Sequence, residues 1–130
     1  MKRVVISGIG IYSTIGTDIE TVTKSLYAGK SGIGIDAGRK DYGFRSSLSG
    51  IIERPNLKGL LSRRERVGLP EQGEYAYVAT MEALKNGSLD MDYLASNEVG
   101  ILYGNDSSSI PVIEAIDIMR EKHDTSLEAR

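Results

Sequence analysis

The residues best placed to do chemistry stand at the start of the chain, in the stretch MKRVVISGIGIYSTIG. Gly8 and Gly10 follow a short apolar run, and a glycine-rich turn between a strand and a helix can bind the pyrophosphate of a dinucleotide. Ser13 replaces the third glycine of that fingerprint, although Asp36 lies near the acidic position expected about 20 residues on. The departure favours a tight turn that needs the backbone freedom of glycine.

A second candidate phosphate site is Gly29-Lys30-Ser31, which matches the last three residues of a P-loop. The complete motif requires a glycine five residues before Gly29, where this chain has Lys24. A P-loop also opens a helix, whereas the helical pattern here comes before the motif. We therefore reject a P-loop.

That first helix is predicted from its ends and its apolar face. Thr17 and Glu20 are spaced as a capping box, which predicts Thr17 as the N-cap. Gly29 stands where a glycine in the left-handed conformation ends a helix. The apolar residues that recur on one face are Ile19, Val22 and Leu26.

Cysteine and histidine chemistry is nearly absent from the chain. There is no Cys, which excludes a disulfide, a thiolate metal site and a Cys nucleophile within these 130 residues. The one His, His123, lies in the polar stretch REKHDT without an adjacent nucleophile or orienting partner. We predict that His123 is a solvated residue at the end of a helix.

The net charge of −2 hides an asymmetry between the two halves. Residues 1–66 carry 12 Lys and Arg against 6 Asp and Glu, whereas residues 67–130 carry 4 against 12. The basic excess is densest between Arg39 and Arg66, which suggests an acidic partner, although an ordinary solvated surface would also fit. Nucleic acid is disfavoured because the overall charge is negative and the basic residues lack interleaved aromatics.

The remaining pattern alternates strands and helices. Residues 4–7 and Val99–Tyr103 are short apolar runs that predict buried strands. A helix is predicted from Pro70, as its first residue, to the NG pair at residues 86–87, and another from Pro111. Residues 30–69 are predicted to be mainly irregular, apart from a short strand within FRSSLSGII.

This alternation indicates an α/β fold with a mostly parallel sheet. Two parallel strands do not make a domain, so we expect the 130 residues to be part of a larger fold with exposed apolar surface. No apolar run reaches the roughly 18 residues of a membrane span. The start of the chain also lacks a signal peptide's apolar region, so a cytoplasmic location without membrane association is expected.

Five stretches, in order, identify a family. MKRVVISGIGIYSTIG, LYAGKSGI, KDYGFRSSLSG, LLSRRERVG and VGILYGND resemble successive segments of the β-ketoacyl-acyl carrier protein synthases, most closely the bacterial synthase I/II group. Each motif alone is weak, but their order over nearly the whole chain is specific. The resemblance implies a thiolase-like α-β-α-β-α sandwich, of which residues 1–130 would be the N-terminal segment of the first half, the rest being absent. The glycine-rich turn would then be architectural.

The resemblance also implies the chemistry of the complete enzyme. A Cys nucleophile at a helix N-terminus takes the acyl group, and two His stabilise the enolate formed when malonyl-carrier loses carbon dioxide. The carbanion then attacks the acyl-enzyme in a decarboxylative Claisen condensation. No cofactor or metal is implied. The catalytic Cys, His and Lys residues would lie beyond this chain, which alone should be inactive.

Within the chain, the resemblance implies binding residues. Arg63 and Arg64 match the basic pair that receives the acidic acyl carrier protein, and Arg66 and Arg45 lie in the same basic region. Ser107 and Ser108 belong to a loop that lies near the acyl pocket in the family. The presence of Asp106 and three serines in this loop leaves the acyl chain-length preference open.

Other functions remain as alternatives. A non-catalytic partner subunit of the chain-length-factor type would keep the fold and pair with an active subunit. Residues 1–130 do not separate it from an active homodimeric enzyme. A free-standing dinucleotide-binding module is disfavoured by the incomplete fingerprint.

Overall fold

The computed structural model describes residues 3–105 and 109–123. Its elements run in the order α1 (Ile19–Tyr27), β1 (Ile33–Ile35), α2 (Gly38–Asp41), β2 (Leu48–Gly50), α3 (Arg63–Val67), α4 (Glu71–Asn86), α5 (Met91–Ser96) and α6 (Ser109–Lys122). The mixture of helices and strands agrees with the predicted α/β class.

Helix α1 is capped at both ends by local hydrogen bonds. Its N-cap is Asp18, whose carboxylate accepts from the Thr21 amide at 2.7 Å, so the prediction of Thr17 was wrong by one residue. At the other end, Gly29 has φ +63° and donates its amide to Leu26, while Lys30 donates to Ser25. These two bonds form a Schellman motif, which confirms that the Gly-Lys-Ser stretch closes a helix.

The region from residue 30 to 69 is more ordered than predicted. Strands β1 and β2 pair as an antiparallel hairpin, with Ile33 opposite Gly50 and Ile35 opposite Leu48. The strand predicted in FRSSLSGII is β2, and part of the stretch LLSRRERVG, predicted to be irregular, forms the short helix α3. Short elements of this kind carry too few residues for a periodic pattern to reveal them.

Helix α4 confirms the prediction of a long helix that ends at the NG pair, since it runs through Asn86 to the C-cap Gly87. Pro70 is the N-cap and not the first helical residue. Helix α6 begins at Ser109, two residues before Pro111, so Pro111 does not open it. His123 follows this helix and is exposed, as predicted.

The two apolar runs predicted as parallel strands, residues 4–7 and 99–103, are not paired as strands. A strand requires a neighbour for its amides and carbonyls, and the part of the chain that is described provides none for them. Val4 is 96% exposed and Leu102 is fully exposed. The expectation of exposed apolar surface is confirmed for these segments.

Few apolar side chains are buried in the part of the chain that the structure describes. Among the described residues, the buried apolar side chains are Val22 of α1 and Leu57 of the loop before α3. Ser25 is also buried, and its hydroxyl donates to the Ile15 carbonyl at 2.6 Å. This bond ties α1 to the turn that precedes it.

Candidate functional site

The glycine-rich turn near the N-terminus packs against the backbone of helix α4. A Cβ on Gly8 would stand 2.6 Å from the Gly87 nitrogen, and one on Gly10 would stand 2.7 Å from the Ala83 nitrogen. Real Cβ atoms essentially never come that close to backbone atoms. The space beside these glycines is therefore filled by a helix, and a pyrophosphate does not fit there. This close packing supports the tight turn that the incomplete fingerprint already favoured over a dinucleotide site.

One carboxylate, that of Glu82 on α4, holds this turn and the start of α1 together. Its Oε2 accepts from the Ile11 amide at 2.8 Å, and its Oε1 accepts from the Ile19 amide at 2.9 Å. Ile19 is the first residue of α1, where backbone amides have no partner within the helix. Glu82 thus satisfies an unpaired helix amide and anchors the chain start. No local sequence pattern marks Glu82, because its two backbone partners lie 71 and 63 residues away in the sequence.

The predicted basic pair, Arg63 and Arg64, opens helix α3. The helix is fixed by a capping box in which the Ser62 hydroxyl accepts from the Glu65 amide and Glu65 Oε2 accepts from the Ser62 amide at 2.7 Å. These hydrogen bonds hold the pKa of Glu65 below its usual range. A capped start presents both arginines, which are exposed, in a defined direction.

A groove of about 400 Å³ lies beside α3. It is lined by loop residues 55–58, by Arg63, Arg66 and Val67 of α3, and by Glu74 of α4. Two predicted residues, Arg63 and Arg66, therefore share one concave surface, and Lys58 adds a third cation to it. We call this surface the α3 groove.

The other predicted site residues are placed differently. Arg66 is half-buried, and its Nε donates to the Leu61 carbonyl at 3.3 Å. Arg45 is exposed in the loop before β2 and does not line the α3 groove. Ser107 and Ser108 lie outside the described residues, so their predicted acyl-pocket role stays a prediction.

Glu74, which lines the α3 groove, forms an ion pair with Arg54 that no local sequence pattern marks. Arg54 Nε and Nη2 lie 2.5 and 3.0 Å from Glu74 Oε2 and Oε1, a bidentate geometry that strengthens the interaction. The hydrogen bond to Glu74 raises the pKa of Arg54. Glu74 is buried, with 10% of its side chain exposed, whereas Arg54 is 59% exposed.

Two tyrosines tie the loop that carries Arg54 to the N-terminal turn. The rings of Tyr12 and Tyr75 stack with centroids 5.6 Å apart, and the Tyr12 hydroxyl donates to the Glu53 carbonyl at 2.9 Å. Burial, together with a hydrogen bond to Glu71, raises the pKa of Tyr75 to about 12. The loop wall of the α3 groove is therefore attached to both α4 and the chain start.

Within residues 3–105 and 109–123, no group of three or more His, Cys, Asp or Glu side chains is arranged to hold a metal ion. In the same part of the chain, no helix combines the length and apolarity needed to cross a membrane.

Comparison with known sequences gives a consistent result. A family model described as "Beta-ketoacyl synthase, N-terminal domain" matches residues 1–129. The 3-oxoacyl-(acyl-carrier-protein) synthase 1 of Buchnera aphidicola subsp. Acyrthosiphon pisum is 36% identical over 126 residues, which are 95% of this chain and 31% of that protein. The enzyme of that name from Escherichia coli K12 is 33% identical over 110 residues, or 84% of this chain and 27% of its own. The chain thus spans less than a third of these relatives.

The fold agrees with a solved structure of the same kind. The crystal structure of a β-ketoacyl synthase from Burkholderia phymatum STM815 superimposes with a TM-score of 0.74 at 25% sequence identity. The match covers 99% of this chain and 32% of that one. It confirms the prediction that the chain has the fold of the N-terminal portion of a thiolase-like enzyme.

Proposed function

This chain belongs to the β-ketoacyl synthase family, and on that premise we propose that it is part of a 3-oxoacyl-acyl carrier protein synthase. The complete enzyme would elongate acyl chains in fatty acid biosynthesis by decarboxylative Claisen condensation with malonyl-carrier protein. The match of the family model to residues 1–129 carries this proposal. No Cys occurs among the 130 residues, so the thiol nucleophile would be supplied by a further part of the protein.

Residues 1–130 form the N-terminal segment of the first thiolase-like half in this proposal. The exposed runs at residues 4–6 and 101–103 support it, since Ile6 is 85% and Ile101 88% exposed. Apolar segments of this kind need covering by neighbouring strands. The homodimer and the cytoplasmic location expected from the family belong to the same proposal.

The contribution of this chain to the reaction is the binding of acyl carrier protein. Arg63 and Arg64 are exposed on a capped helix, and Arg66 extends the cationic surface into the α3 groove. Clustered positive charge attracts an acidic partner over a distance and raises the rate of encounter. Arg45 would contribute from the loop before β2, and Ser107 and Ser108 would belong to the acyl-pocket loop.

Charge reversal in the complete protein tests this function. We expect the double variant Arg63→Glu, Arg64→Glu to raise the KM for acyl-carrier substrate and to leave kcat little changed, because exposed charges steer binding and do not touch reacting atoms. Each exposed ion pair with the carrier contributes about 0–1 kcal/mol, so losing two of them raises the KM by up to roughly thirtyfold at low salt, and the effect fades as the ionic strength rises.

The matched control is Lys24→Glu, which reverses an exposed charge on α1 away from the α3 groove. Unchanged carrier affinity of the arginine variant at low salt would sink the docking role. A wild-type protein that catalyses no condensation, but that still binds the carrier through a second subunit, would favour the chain-length-factor-like alternative.

A further inference from the structure

Glu74 is a buried carboxylate that lines a surface otherwise rich in cations. The α3 groove places it among Lys58, Arg63 and Arg66. A carboxylate in such a place competes with any acidic ligand for the same cations. A buried carboxylate on the surface that is proposed to bind an acidic protein therefore requires a structural explanation.

The explanation is the ion pair that Glu74 forms with Arg54. Arg54 occupies both oxygens of Glu74 through the bidentate pair, and it approaches from the loop and not from α3. The negative charge is therefore neutralised without using Arg63 or Arg66. Loss of Arg54 would leave the buried carboxylate to draw those arginines inward, whereas loss of the carboxylate would leave Arg54 as an additional free cation.

We propose that the Arg54–Glu74 pair is a positioning device that sets the cationic strength of the α3 groove and so its affinity for an acidic segment of the carrier protein. This inference rests on the proposed carrier-binding function and deepens it. Neither residue is assigned a contact with the reacting atoms. Together they determine how many cations the groove offers to its ligand.

The proposed role of the pair predicts opposite changes in carrier affinity for the two single variants. In the complete protein, Arg54→Gln weakens the binding of a fluorescently labelled acyl carrier protein about two- to fivefold, and Glu74→Gln strengthens it by a similar factor. The double variant, which is neutral like the ion pair, returns close to the wild-type Kd. Fluorescence anisotropy at two ionic strengths measures both the Kd and its salt dependence, which is steeper for Glu74→Gln than for Arg54→Gln.

Two controls separate this role from a merely structural one. Arg54→Lys keeps the charge while losing the bidentate geometry, and its Kd stays near the wild-type value. Lys24→Ala removes an exposed ion pair on α1 and has no effect on carrier binding. If Arg54→Gln does not fold, Glu74→Gln alone decides, because general destabilisation does not tighten binding.

The possible outcomes distinguish the role of the Arg54–Glu74 pair from the proposed carrier-binding function. Single variants that shift the Kd in the same direction, or not at all, overturn the role of the pair while the arginine reversals still support carrier docking. A wild-type protein that does not bind the carrier at all overturns the proposed function, and this inference with it.

Discussion

Substitution of Gly10 by Ala tests whether the N-terminal glycine turn is architecture or a ligand site. The added Cβ would stand 2.7 Å from the Ala83 nitrogen and 2.8 Å from the Ala79 carbonyl carbon. Ordinary van der Waals contact begins at 3.4 Å, so the difference between 3.4 and 2.7 Å requires a retreat of at least 0.7 Å. The neighbouring atoms belong to the backbone of α4 and cannot rotate away.

That retreat strains the hydrogen bonds that join the turn to α4. The Ile9 amide lies 3.1 Å from Asn86 Oδ1 and the Ile11 amide lies 2.8 Å from Glu82 Oε2. A shift of this size takes both bonds beyond the usual limit of about 3.2 Å. Each lost bond costs about 1 kcal/mol and overpacking costs about 1–3 kcal/mol, so the free energy of unfolding should fall by about 3–5 kcal/mol.

Denaturant unfolding of the complete protein measures this change. The control is Gly68→Ala, since a Cβ on Gly68 meets its nearest neighbours at 3.9 Å and its φ of −82° suits any residue. The control should stay within about 0.5 kcal/mol of the wild type. A Gly10→Ala protein as stable as the control would refute close packing. Heat of binding to NAD in calorimetry, abolished by Gly10→Ala, would revive the nucleotide loop.

Two further predictions concern the contacts of α4. Glu82→Gln leaves one acceptor oxygen for the amides of Ile11 and Ile19, so urea titration should show that the free energy of unfolding falls by about 1–3 kcal/mol. Glu98→Gln, on the exposed surface, should change it very little. Equal stability of the two variants would contradict the role of Glu82. Burial raises the pKa of Tyr75 to about 12 from 10.0, so its stabilising contribution is complete below pH 10 and is lost as the pH rises towards 12. The difference in tyrosinate absorbance between the wild type and Tyr75→Phe measures the pKa of Tyr75. A value near 10 would contradict a partly buried, hydrogen-bonded phenol at this position.

Local signals in the sequence correctly predicted the C-terminal ends of α1 and α4. Gly29 and the NG pair were placed correctly because a residue that ends a helix acts through its own backbone and that of the preceding turn. The errors at Thr17 and Pro70 were single-residue errors. Neighbouring polar residues such as Thr17 and Asp18 can both cap, and only the final backbone geometry selects between them.

The residues of the candidate site also divide into those that local sequence motifs predicted and those that they did not. The ordered motifs determined the family, and the carrier-binding role of Arg63, Arg64 and Arg66 was predicted from the resemblance. The Arg54–Glu74 pair spans 20 residues and the Glu82 contacts span 63 and 71, and no local pattern marks either. Salt-bridge partners at such separations meet only when the chain has folded.

The sequence by itself therefore determined the family, the α/β class, the C-terminal ends of α1 and α4 and the basic character of the surface near α3. The tertiary structure alone decided that Gly8 and Gly10 face a helix backbone, that Glu82 anchors two distant segments, and that a neutralised carboxylate lies in the α3 groove. The physical reason is the distance along the sequence over which each kind of interaction acts. Capping and turn preferences act over a few residues, whereas close approach, burial and ion pairing depend on which distant segments share the same space.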